Sequence, residues 1–163
     1  MFSFRQLIST GFLTRMKSLK DKKQIEAILS RLDRLQESTV PRWGIMTANQ
    51  MLCHLSDQLR CALGEKNAKD ISNWRLRTIG RYWGLWNIPI PKGIRTIPEM
   101  HAGSRGTKVT TFENDLSMLK EHITKMHEGL IFDPHPAFGK LSVKQWNRLG
   151  WVHIDYHLNQ FGL

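Results

Sequence analysis

The sequence predicts an all-α protein built as a bundle of helices. Apolar residues recur at spacings of three and four in one segment after another, and no stretch alternates apolar with polar residues as a half-buried strand would. Three segments open on a Ser/Thr-x-x-Glu/Gln pair, the capping box in which two side chains satisfy exposed backbone N–H groups at a helix start. At 163 residues the chain has the size of one domain and can bury a core without disulfides. Residues 16–163 read as that domain, and residues 1–15, with Arg5 and Arg15 and no acid, as a leader that is disordered, precedes the working start at Met16 or serves as a targeting segment.

Five helical segments follow in order. Ile25, Ile28, Leu29, Leu32 and Leu35 share one helical face, and nothing before Asp21 belongs to that stripe. The second segment opens at Thr47-x-x-Gln50 and carries Met51, Leu52, Leu55, Leu59 and Ala62 as its core stripe. A third, over residues 70–86, spaces Ile71, Trp74, Ile79, Tyr82, Trp83 and Trp86 helically. Residues 87–106 hold three prolines and three glycines, which makes them a long irregular connection. The fourth helix is expected to start at Thr110-x-x-Glu113, with a stripe of Phe112, Leu116, Leu119, Ile123 and Met126. The last begins at Ser142-x-x-Gln145 and runs almost to the C-terminus.

Charge is unevenly spread. The formal net charge is +10, with eight Lys/Arg against three Asp/Glu in residues 1–35 and ten against three in residues 60–108. The remainder, which includes the histidine-bearing segments considered below, is near neutral, so the excess reads as a solvated basic face before it reads as a nucleic-acid footprint. The two cysteines, Cys53 and Cys61, lie eight apart on one helix, roughly 12 Å between Cα atoms at 1.5 Å per residue, too far for a bridge. Two free thiols and no apolar run of membrane-spanning length point to a cytoplasmic protein without a transmembrane segment.

The chemistry lies in histidine. On the last helix Trp146, Leu149, His153, Tyr156, His157 and Gln160 fall on one stripe, so His153 and His157 project side by side and can converge on one ion. His54 sits at the edge of the second helix's core stripe and supplies a third imidazole. Three neutral nitrogen donors leave a divalent ion with open positions, the pattern of a catalytic site, and zinc or nickel suits imidazole. Nothing in the chain has the form of a Ser-His-Asp triad, a phosphate-binding glycine loop or a pair of catalytic carboxylates.

The stretches WGIMTANQMLCHLSD and HPAFGKLSVKQWNRLGWVHIDYHLNQFG resemble the DinB-like superfamily of four-helix metalloproteins, in particular a branch of unknown function marked by HPxFG and HxxxHxxQFG. The resemblance implies a four-helix bundle with one extra helical segment and the long connection. It also implies a metal held by His54 with His153 and His157, and a homodimer. Gln160 matches the glutamine three residues after the last ligand and could hold an imidazole or a bound water. Asp57 fits the H-x-x-D spacing and could accept an imidazole N–H, its other reading being a solvated carboxylate. His135 of HPAFG is expected at the pocket rim or as a cap of the last helix, with Trp146 and Tyr156 bordering the open side.

Superfamily activities imply metal-dependent transfer or isomerisation with low-molecular-weight thiols. Two readings therefore stand. The first is a metal-dependent thiol transferase or hydrolase that draws a small anionic substrate with the Arg/Lys of residues 60–108. The second is a non-catalytic helical module whose basic middle segment and exposed tryptophans contact nucleic acid, an acidic partner or a membrane surface.

Overall fold

The computed structural model describes residues 16–86, 97–101 and 105–163. The leader and most of the expected connection lie outside them. The described chain is helical, without strands; a single isolated bridge, His135 to Gly139, closes a turn. Helix α1 spans Lys22–Leu32 and is capped by Asp21, whose carboxylate accepts from Lys23 N–H at 3.1 Å. Leu35 lies beyond its end yet is buried, carried inward by the turn that follows. Helix α2, Ala48–Ala62, opens on the expected capping box, with Thr47 and Gln50 bonded reciprocally at 2.9 and 3.2 Å.

Helix α2 is the centre of the molecule. Every residue in it except Gln50 and Arg60 is buried, because α4 and α5 pack on it from two sides and the one-turn 3-10 helix Pro98–Met100 covers a third. Helix α1 touches α4 and α5 in turn, so the four helices contact one another in the order α1, α4, α2, α5. A helix enclosed this way would ordinarily be apolar all round. Instead it buries His54, Ser56, Asp57 and Gln58, and buried polar groups need partners.

Helix α4 spans Phe112–Glu128 and buries Phe112, Leu119, Ile123 and Met126 as its stripe predicts. Its cap is one residue later than expected. Thr111 takes Asn114 N–H, while the hydroxyl and N–H of Thr110 go to the fully buried Asp115 at 2.6 and 3.1 Å. Helix α5, Val143–Gln160, starts on the expected Ser142/Gln145 box.

The third segment is helical over less of its length than the expected residues 70–86. It is a π-helical turn, Leu76–Gly80, continued by the α-helical Arg81–Leu85, together α3. Its large apolar residues face solvent: Trp74 is 67% exposed, Ile79 60%, Tyr82 55% and Trp86 54%. The side turned to α5 is made of Gly80 and Gly84, where an added Cβ would sit 3.4 Å from Phe138 and from both Phe138 and Leu149 respectively. The glycines thus lie inward, at a spacing where a Cβ would just touch Phe138 and Leu149 and a larger side chain would not fit without a shift, and the tryptophans lie outward.

The core also extends further back than the stripe of α1. Leu19 is fully buried, its N–H donates to Asn147 C=O at 3.1 Å, and its own carbonyl accepts from His127 Nδ1 at 2.9 Å. Its side chain lies over Gly150, where any Cβ would come within 2.9 Å of Leu19 Cδ1. Leu19→Ala should therefore destabilise the protein by about 2–5 kcal/mol in urea unfolding, against under about 1.5 kcal/mol for Leu19→Met. Equal midpoints for Leu19→Ala and the parent chain would show that this segment does not contribute to the core.

Candidate metal centre

His54 on α2 and His153 and His157 on α5 stand together, with one ring nitrogen of each inside a 4.8 Å group. Nε2 of His153 lies 3.2 Å from Nε2 of His54 and 3.1 Å from Nε2 of His157. The rings meet edge to face, with centroids 4.7 to 4.9 Å apart and interplanar angles of 74° to 80°. His54 and His157 are buried, and His153 is partly exposed.

The far side of each ring decides what the near side can do. Nδ1 of His54 lies 2.9 Å from the carbonyl of Met100, an acceptor only, so this nitrogen carries the proton. Nδ1 of His157 lies 2.7 Å from Oε1 of Gln160, and Gln160 is oriented by its own Nε2, which donates to the carbonyl of Trp43 at 2.6 Å. Nδ1 of His153 faces Oε1 of Gln58 at 2.8 Å in the same sense. With every proton on Nδ1, the three Nε2 atoms of neutral rings are bare lone pairs directed at one another.

Lone pairs 3.1 to 3.2 Å apart repel unless a positive centre lies among them. A proton is a poor candidate, because burial holds all three rings neutral. His157 is pushed down to about 3 by burial first and by His54 second, with the Gln160 bond opposing. His153 lies well below its ordinary value through burial, then His157, His54 and His135. His54 is lowered by burial against the pull of the Met100 carbonyl and Asp57. A cation fits instead: three nitrogens about 2.0–2.1 Å from a common ion show such separations at angles of roughly 100°. The cluster could thus hold a metal ion, and no fourth His, Cys, Asp or Glu donor joins it among the described residues.

The remaining residues singled out from the sequence divide. Tyr156 is half-buried and edge-on to His157, 5.1 Å between centroids, with Trp43 behind it at 6.0 Å. Gln160 holds His157, as described. Asp57 neither accepts from an imidazole nor faces solvent. It is fully buried, and its oxygens take Thr107 N–H at 2.7 Å, Thr107 Oγ1 at 2.5 Å and Lys66 Nζ at 2.9 Å, with Arg60 at 3.6 Å. His54 already has Met100, so Asp57 is free to anchor the chain a few residues beyond it.

His135 does not cap α5, which Ser142 caps. Its Nδ1 accepts from Ala137 and Phe138 N–H at 3.0 and 3.1 Å, closing the HPAFG turn, and its ring stacks on Phe138 and leans on Trp146. It lines a cavity of about 300 Å³ with Cys61, Lys66 and Asp133, a set that does not include the three histidines. Trp146 is fully buried, and its indole N–H donates to Asp133 C=O at 2.8 Å, so it belongs to the core and not to an open rim. Arg60 and Lys66, expected to draw an anion, are paired with Asp57 and Glu65, while Arg75, Arg77 and Arg81 lie on or beside α3.

Burial raises the Cys53 thiol to about 12 and Cys61 to about 11, which leaves neither as a nucleophile. His122 and His127 stand apart from the cluster: His122 Nε2 lies 3.2 Å from Glu65 while its buried Nδ1 meets no partner among the described residues, and His127 Nδ1 bonds the Leu19 carbonyl. Two supports were not read from sequence. Gln58 lies on the face of His54, four residues on, and that spacing was a usable signal. The Met100 carbonyl had none, being a backbone group 46 residues from its partner.

The buried imidazoles make stability depend on pH with a definite sign. An unfolded histidine binds a proton near pH 6.5, whereas burial lowers the pKa of all three rings, so below about pH 6.5 the unfolded state holds more protons. Chelator-treated protein should be most stable above that pH and lose up to about 1.4 kcal/mol per pH unit for each such histidine as the pH falls. Urea midpoints between about pH 7.5 and 5 test this, and His157→Gln should flatten the slope. A midpoint independent of pH would contradict the neutral cluster.

Residues 91–162 match the model of a family described as a protein of unknown function (DUF1569). That match takes in α4, the HPAFG turn and α5 with His153, His157 and Gln160, but not α2 with His54. No curated protein and no solved structure matches the chain. The C-terminal part of the chain is thus similar to a family that the HxxxHxxQFG segment falls within.

Proposed function

We propose that this chain is a DinB-like metalloprotein in which His54, His153 and His157 bind one divalent ion, zinc or nickel, and that it acts as a metal-dependent thiol transferase or hydrolase on a small anionic substrate. One observation carries the reading: three Nε2 lone pairs meet with no proton among them, while each Nδ1 is tied to an acceptor behind it. Such a cluster is destabilising without a cation and preorganised with one. The contact order α1, α4, α2, α5 supports the four-helix arrangement that the resemblance implies.

An ion bound there would lower the pKa of a thiol or a water molecule brought to it. The chain's own residues do the rest. Gln58, Gln160 and the Met100 carbonyl hold the rings in one tautomer and orientation, and such supports typically contribute 10–100-fold in metal affinity. The partly exposed edge of His153 is the side by which an exogenous ligand arrives, with Tyr156 and Trp43 walling the His157 flank. Three nitrogen donors without a fourth protein donor among the described residues suit an open, ligand-accepting site over a closed structural one.

The purified chain dialysed against Zn²⁺ or Ni²⁺ should retain about one ion per molecule. His157→Ala should remove most of the affinity, and Gln160→Ala should weaken it by about 10–100-fold with the fold intact. Tight, stoichiometric binding by the His153→Ala/His157→Ala variant would overturn the site. In cobalt-loaded protein, visible absorption should change on adding a thiol, azide or carboxylate. A spectrum indifferent to all three would mean a closed site and remove the enzymatic reading.

A further inference from the structure

Helix α3 is amphipathic in the wrong direction for a soluble surface. Its floor against the HPAFG turn and α5 is Gly80, Gly84 and the buried Leu85. Its outward ridge carries Arg75, Ile79, Tyr82 and Trp86 at spacings of four, three and four, with Trp74 at the start and Trp83 alongside. Tyr82 and Trp86 stack at 5.1 Å and 22°, which makes one broad aromatic plate, and the Arg75 guanidinium lies 5.5 Å over the Trp74 ring. Between Ile71 and Trp86 there are three arginines and no acid. The nearest carboxylate, Asp70, lies 3.8 Å from Arg77, whose guanidinium also bonds Ser72; Arg81 reaches the Lys140 carbonyl at 3.5 Å.

We propose that the ridge of α3 docks on an anionic lipid bilayer surface, with the indole and phenol rings at headgroup depth and Arg75 against the lipid phosphates, while Arg77 and Arg81, held toward the HPAFG turn and the Lys140 carbonyl, add their charge to the positive field of the same face. Charge complementarity selects this occupant. A second copy of the chain would bring the same three arginines against themselves, and like charges opposed across an interface cost affinity. Single-stranded nucleic acid is bound in grooves whose cations track a backbone, whereas this is a convex ridge with Ile79 in its middle. A bilayer is flat and compliant, takes Trp and Tyr preferentially at its interface, and attracts clustered basic residues. No described helix is long and apolar enough to cross a membrane, so α3 would lie in the interface plane.

The test uses the full metal-loaded chain with phosphatidylcholine vesicles that do or do not contain phosphatidylglycerol. Sedimentation should show binding only with the anionic lipid, released by high salt, and tryptophan emission should shift to the blue and be quenched by lipids brominated in the upper acyl chain. Each arginine lost should weaken binding about fivefold, so Arg75→Gln/Arg77→Gln/Arg81→Gln should weaken it about a hundredfold. Ile79→Ser/Trp86→Ser should abolish the blue shift, and all variants should keep their metal content. Equal binding to neutral vesicles, binding unaffected by these substitutions, or displacement from vesicles by an oligonucleotide would each overturn the proposal. So would a dimer in sedimentation equilibrium that Trp86→Ser dissociates.

Discussion

The rest of the structure depends on where three imidazole protons are placed. Each Nδ1–H of His54, His153 and His157 points away from the cluster to an acceptor, Met100 C=O, Gln58 Oε1 or Gln160 Oε1, at 2.7 to 2.9 Å. This fixes three rings at once and turns three acceptor nitrogens to one place. It also explains polar residues that would otherwise be costly in the middle of a helical protein. Gln58 and Gln160 are buried because an imidazole needs each of them, and Trp43 is held where its carbonyl keeps Gln160 from flipping.

The same constraint reaches the chain that packs over α2. The Met100 carbonyl can serve His54 only if the segment carrying it stays in place. The segment closes on itself through Gly106 N–H to His101 C=O and Arg105 N–H to Pro98 C=O, each 3.0 Å, and through the ion pair of Arg105 with Glu99 at 3.1 Å. Thr107 then ties its end to Asp57, one turn beyond His54 on α2. A buried carboxylate is tolerated there because Lys66, Arg60 and two hydrogen bonds from Thr107 share its charge. Breaking such a group by removing a partner is costly, which makes Asp57 a support of the site through the chain and not through a ring.

What the sequence made legible follows from what helical periodicity encodes. The i, i+4 spacing places His153 and His157 together on any helix, and the apolar stripe of α2 turns His54 inward, so the three histidines could be brought together before any coordinates. Thr47 and Ser142 were readable as caps because each stands alone before its helix. Thr110 and Thr111 stand in tandem, and the buried Asp115 took the first, which displaced the cap by one. The stripe of α3 was legible as a helical period but not as a covered face, because periodicity says which residues share a side and not which side is covered. Glycines made the covered side. Met100 was illegible in principle: a carbonyl has no residue type.

The central claim is that the three Nε2 atoms are unprotonated and converge before any ion arrives. Long-range proton–nitrogen correlation spectra of the histidine side chains, recorded on chelator-treated protein near neutral pH and again with one equivalent of Zn²⁺, test it directly. The account predicts that the rings of His54, His153 and His157 are already neutral with the proton on Nδ1, and that zinc shifts their three Nε2 resonances together without moving the proton. Rings protonated on Nε2, or Nε2 resonances that zinc leaves unchanged, would contradict it.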